Sequence, residues 1–226
     1  MKKIVVFAPH PDDELAGAGG SMLKWKEEGH DVHIIYITDG RAAYRYEREK
    51  GRLFESEETM NTTEDELAEI RMKEIDEVMQ VLNFPKENIH KFKIPDQDAK
   101  NHIREGIELS KNIIKDADRI VLPSNNNSHT DHQATYEIAV GAAKELDLKD
   151  IEFYGYAIYV AHKEPREKMV KIRIKNYRDK VFEALCKYKS QLAISIVKIY
   201  YDTLKRKRVE FFGKYSLSDI GKYYNF

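Results

Sequence analysis

The chain has 226 residues, 42% of them hydrophobic and 34% charged, with a formal net charge of −1. That is enough apolar material for a buried core, and the single cysteine, Cys186, excludes an internal disulfide framework. No apolar run approaches the roughly 20 residues of a membrane span, and the balanced charge gives no case for nucleic-acid binding.

Residues 3–8 form a short apolar run, too short for a signal peptide, and read as a first strand buried on both faces. The protein is therefore expected in the cytoplasm. Residues 15–28 follow as a helix stopped by Gly29, and residues 31–38 as a second strand. Residues 39–62 are polar and show no clear period. Loops of that length in compact domains are often lids or binding loops. Thr63 and Glu66 then have capping-box spacing. Leu67, Ile70, Ile75, Val78, Met79 and Leu82 give the helix they open an apolar face, and Asn83-Phe84-Pro85 ends it. Residues 89–94 read as a third strand, 99–116 as a helix and 118–123 as a fourth strand. Residues 132–146 read as a helix and 151–160 as a fifth strand. This alternation predicts an α/β fold, a mostly parallel sheet with helices on both faces.

After residue 160 the alternation changes. Val170, Ile172 and Ile174 alternate with Lys171, Arg173 and Lys175, as in a half-exposed edge strand. Two helices are expected at about 177–190 and 193–212, with Lys205–Arg208 on a solvated helix face. Cys186 falls in the first of them and reads as a small core or boundary residue. The expected layout is one domain over 1–226: a core over 1–160 and a C-terminal edge-strand and helical extension over 161–226.

Two motifs carry chemistry. Ala8-Pro-His-Pro-Asp-Asp-Glu14 directly follows the first strand, and His129-Thr-Asp-His132 follows the fourth. In a doubly wound sheet these strands are commonly neighbours, and ligands bind in the crevice between their carboxyl ends. Imidazole and carboxylate suit zinc, and catalytic zinc keeps three protein ligands and one open position. His10, Asp13 and His132 make such a set, for zinc or another divalent ion. Asp12 is then placed as general base. A protonated His129 would stabilise an oxyanion and protonate the leaving amine, with Asp131 holding it and raising its pKa. Taken singly, a histidine at a strand end is ordinarily a surface or satisfied residue, and an Asp-Asp pair ordinarily caps a helix. Six such groups at two strand ends favour metal chemistry. His30, His33, His90, His102 and His162 show no partner pattern.

These two motifs resemble those of the LmbE-like, or PIG-L, family of zinc-dependent N-deacetylases. Gly17, Gly19 and Gly20, Thr38-Asp39-Gly40, Arg71 with Glu74, Pro95-Asp96 and Lys189-Ser190-Gln191 support the likeness. The resemblance implies a Rossmann-like fold and removal of N-acetyl groups, chiefly from N-acetylglucosamine conjugates. It implies zinc on His10, Asp13 and His132, Asp12 as base, His129 and Asp131 as the oxyanion pair, and sugar contacts from Arg71 and Asp96. It also implies a homo-oligomer, trimeric or hexameric. Departures from the family pattern at Asp39-Gly40-Arg41, Gln97 and Thr130 lie where substrate is gripped, so they bear on the substrate rather than the reaction. Arg41, Arg45, Arg48, Lys50 and Arg52, interleaved with Tyr44 and Tyr46, fit either a substrate lid or a solvated loop.

Two rival readings remain on the sequence. A nucleotide-binding oxidoreductase would use the glycine cluster, but the dinucleotide fingerprint is incomplete and its place is taken by carboxylates that repel a pyrophosphate. A non-catalytic sugar- or metal-binding protein would have no use for the base and oxyanion groups.

Overall fold

The computed structural model describes residues 1–220. Seven strands form one sheet: β1 (Lys3–Ala8), β2 (Asp31–Thr38), β3 (Ile89–Ile94), β4 (Arg119–Pro123), β5 (Glu152–Tyr156), β6 (Met169–Arg173) and β7 (Val209–Tyr215). Their order is β3-β2-β1-β4-β5-β7-β6. The first five pair in parallel, and β7 runs antiparallel between β5 and β6. The helices are α1 (Asp13–Glu27), α2 (Ala43–Glu49), α3 (Glu57–Asn61), α4 (Glu64–Leu82), α5 (Ile103–Ile114), α6 (Thr130–Glu145), α7 (Arg178–Leu185), α8 (Lys189–Leu192) and α9 (Ser195–Leu204).

The pleat of β1 explains the layering. Ile4, Val6 and Ala8 face a core with Leu15, Met22 and Trp25 of α1, Ile75 and Val78 of α4, and Val181 and Leu185 of α7. Val5 and Phe7 face the opposite core, with Ile107 and Ile114 of α5 and Ile138 and Ala142 of α6. A strand covered on both faces has no polar side to present, so its sequence is an unbroken apolar run. Gly17 lets α1 approach the sheet closely. A Cβ there would overlap the ring of Tyr156, whose hydroxyl donates to the Phe7 carbonyl at 2.8 Å.

Five sequence expectations are corrected. The helix over 193–212 stops at Leu204, and Val209–Tyr215 is a strand. Its alternation is disguised: Glu210 points inward and is 1% exposed, whereas Phe211 points outward and is 48% exposed. The buried Glu210 carboxylate accepts the N–H groups of Gly20 and Ser21 in α1, at 3.1 and 2.8 Å. Lys205–Arg208 is thus the connection between α9 and β7, not a helix face. The helix over 177–190 is broken between α7 and α8, and Cys186 in that break is exposed. The stretch 39–62 contains α2 and α3. The fifth strand ends at Tyr156 rather than at residue 160.

Candidate functional site

β1 has β2 on one side and β4 on the other, so the chain reverses its direction of travel between β1 and β4. Both motifs leave the sheet at that switch point. The turn after β1 carries His10 and Asp12 and opens α1 at Asp13; the loop after β4 carries Asn127 and His129 and opens α6.

His10, Asp13 and His132 come together. Asp13 Oδ2 lies 3.0 Å from His10 Nδ1 and 3.3 Å from His132 Nε2, and one ligand atom from each residue falls within 4.8 Å of the others. Ligand atoms around a tetrahedral zinc stand roughly 3.3 Å apart. The far nitrogen of His10 faces Asp96 Oδ1 and Asp131 Oδ2, each at 3.2 Å. A carboxylate behind a histidine fixes its tautomer and leaves the other nitrogen to a metal. Two imidazoles and a carboxylate, backed in this way, fit zinc.

The buried charges perturb one another. Burial would lower the His10 pKa, but the Asp96 charge and hydrogen bonds with Asp13, Asp131 and Asp96 outweigh it and hold it well above 6.5. Asp13 suffers burial too, yet His132 and His10 hold its carboxyl below the usual range. Asp12 goes the other way: burial and the adjacent Asp13 charge push it up to about 7, against the pull of Arg71, Tyr201 and His10. Burial and the charges of His10 and His132 push His129 down to about 4. His129 is therefore neutral here. Its Nδ1 accepts the backbone N–H of Asp131 at 3.3 Å, which leaves the ring proton on Nε2.

This alters the part expected of Asp131. Its charge raises the His129 pKa, against the larger downward pulls, but its carboxylate makes its hydrogen bonds elsewhere. It accepts the N–H of Gln97 at 2.6 Å and of Ala99 at 3.3 Å, and faces His10. Arg71 and Asp96 line the pocket but are also engaged by the protein. Arg71 donates to the carbonyls of Pro11 at 2.6 Å and Gly40 at 3.1 Å and is 2% exposed. Asp96 accepts from the Ala42 N–H at 3.2 Å.

A pocket of about 390 Å³ opens over the cluster. Its walls include Gln191 of the Lys189-Ser190-Gln191 motif and residues that sequence reasoning did not single out: Asn127, Tyr159, Tyr200 and Tyr201. Tyr201 donates to Asp12 Oδ2 at 2.8 Å. Asn127 accepts the His129 N–H at 3.0 Å and donates to the Ile158 carbonyl at 3.1 Å. The run of three asparagines before the second motif was a local signal for Asn127; Tyr201, 189 residues from its partner, had none.

An open α/β sheet with a histidine–carboxylate cluster at its switch point defines the class. The chain belongs to the PIG-L family: residues 5–144 match the family described as GlcNAc-PI de-N-acetylase. Diacetylchitobiose deacetylase of Thermococcus kodakarensis is 42% identical over 40 residues, which is 18% of this chain and 15% of that protein. The chain matches its curated relatives over at most 15% of their length. Among solved structures, the N,N'-diacetylchitobiose deacetylase of Pyrococcus horikoshii is similar with a TM-score of 0.73 and 20% identity, over 96% of this chain and 85% of that one. A 4-carboxy-2-hydroxymuconate hydratase from Pseudomonas putida shares the fold at a TM-score of 0.60 and 17% identity, over 96% of each chain. The fold alone therefore does not select the reaction.

Proposed function

We propose that this chain is a metal-dependent N-deacetylase, with zinc the best-fitting ion, that hydrolyses the acetamide of an N-acetylglucosamine-type sugar. One observation carries the reading. Two imidazole nitrogens converge on one Asp13 oxygen, and the neighbouring Asp12 carboxylate, raised to about 7, stands beside them.

A divalent cation held by His10, Asp13 and His132 would supply Lewis acidity, polarising the amide and bringing a water's pKa toward about 7. Asp12 takes a proton from the attacking water. A base with a pKa near the working pH can also return that proton, so Asp12 gives it to the leaving nitrogen as the C–N bond breaks. Acetate and the free amino sugar result. His129, neutral with its proton on Nε2, donates to the carbonyl oxygen as negative charge builds there. Asp131 and Asp96 orient His10, and Tyr201 orients Asp12. Family membership and the deacetylase among the structural neighbours support hydrolysis over hydration. Trimeric or hexameric assembly in the cytoplasm belongs to the same reading, and light scattering tests the assembly.

Acetate release from N-acetylated sugars, with metal content measured on the same sample, tests the whole. Asp12→Asn is expected to retain zinc and to lose about 10²- to 10⁴-fold in kcat. Undiminished turnover would remove Asp12 from the base role. His132→Ala is expected to lose the metal, and stoichiometric zinc in that variant would remove His132 from the ligand set.

A further inference from the structure

We propose that Tyr159 and Tyr200 form a subsite for the group attached to the sugar, and that this group is an uncharged flat ring. The inference rests on the deacetylase reading for the reaction, and on the pocket mouth for the ring.

Tyr159 combines three features. It lines the pocket, it is 62% exposed, and its φ is 59°. A large aromatic exposed to water, on a backbone that side-chain-bearing residues rarely adopt, is held there by its surroundings. Two neighbours do the holding. Asn127 donates to the Ile158 carbonyl at 3.1 Å and Asn126 to the Ala161 carbonyl at 2.9 Å, gripping the turn on both sides of Tyr159. Both asparagines lie in the loop that also carries His129, so the aromatic wall and the reaction centre are fixed to one another. The Tyr159 ring leans on that of Tyr200 from α9, with centroids 4.5 Å apart and planes at 46°.

The chemistry of this wall selects the ligand. Ile158, Ile194, Ile196 and Val197 line the pocket with the two tyrosines, and none carries a charge. Of the basic residues that also line the pocket, Arg52 is paired with Glu47 at 2.6 Å and Lys50 lies 3.6 Å from the centroid of Tyr46. No pair of free cations is presented there among the described residues, so a phosphate or carboxylate on the aglycone would find no bidentate clamp. A pyranose ring or an aryl group shares the required chemistry, a flat face of C–H groups or π-electrons that packs on tyrosine.

The test compares kcat/KM of the zinc-loaded enzyme on four N-acetylglucosamine derivatives: a β-linked disaccharide, a phenyl β-glycoside, the methyl β-glycoside and the 1-phosphate. The two ring aglycones are expected to exceed the methyl glycoside by about tenfold, with the 1-phosphate lowest. Which ring is preferred separates a sugar from an aryl source. Tyr159→Ala should collapse the ring-to-methyl ratio to about one, and Tyr159→Phe should preserve it. A wild-type ratio near one, a preference for the 1-phosphate, or a ratio unaltered in Tyr159→Ala would overturn the subsite. Acetate release from none of the four would overturn the deacetylase reading instead. Calorimetry of the phenyl glycoside then decides the subsite separately: binding by wild type and its loss in Tyr159→Ala support it, and equal binding or none overturns it.

Discussion

Asp12 has a φ of 109°, a conformation that costs about 1–3 kcal/mol for a residue with a side chain. The turn keeps it because Arg71 ties the Pro11 carbonyl to the Gly40 carbonyl and places its guanidinium 4.0 Å from Asp12 Oδ1. Gly40 is itself at φ 69°, and a Cβ there would overlap Arg71. So Arg71 acts here as a staple on the base-bearing turn. Arg71→Lys removes the planar fork that reaches both carbonyls. It is expected to lower kcat by about 10²-fold through misplacement of Asp12, and to lower Tm as well. A residue that only gripped substrate would raise KM and leave Tm and kcat alone, so steady-state kinetics with thermal melts separate the two roles.

At the scale of elements, α1 couples the reaction centre to the sheet. Its first turn holds Asp13, Gly17 packs on Tyr156, and its middle is tied to Glu210 of β7. Gly17→Ala would force a methyl group into the Tyr156 ring. Overpacking of that kind costs about 1–3 kcal/mol, readable as a lower urea midpoint; an unchanged midpoint would mean that α1 can slide off the sheet freely. The five parallel strands and α4 were legible because each satisfies a local rule: an apolar run, a helical stripe, or a capping box. β7 was not, because Glu210 answers a need 190 residues away for an acceptor to Gly20, and no local period records that. The same division runs through the site. His10, Asp12, Asp13, His129 and His132 were visible as two short motifs at strand ends. The Tyr201 bond to Asp12 and the Tyr159–Tyr200 wall exist only once α9 and the turn after β5 fold over the crevice. Asp131 shows the same limit: its side chain hydrogen-bonds with His10 and the Gln97 and Ala99 N–H groups, contacts that sequence adjacency to His129 conceals.

Across the whole molecule, the buried charges give the metal-free protein a stability that changes with pH in a definite direction. Burial, with help from neighbouring carboxylates, raises Asp12 to about 7 and Glu14 to about 8, and the carboxylates around His10 hold it well above 6.5 against its burial. All three favour the folded state when protonated. Their contribution is complete below the unfolded values, about 4 for the carboxyls and 6.5 for histidine, and is lost as pH rises through the folded ones. Asp13 and Asp96, held low, are lost only in acid, as pH falls below about 4. His129 and His90, both pushed down to about 4, work the other way below about pH 6.5 and offset that loss, so the metal-free protein should lose stability chiefly between about pH 6.5 and 8. A zinc ion reverses part of that. It binds His10 only without the proton on Nδ1, so its affinity grows as pH rises, by up to about tenfold per unit below the His10 pKa. Its stabilisation of the fold grows as the logarithm of that affinity. Thermal melts in excess chelator should show Tm falling from about pH 6.5 to 8, and melts in excess zinc should show a shallower fall or a rise over the same range. Parallel slopes in the two series would mean that zinc displaces no proton on binding, and would remove His10 from the ligand set.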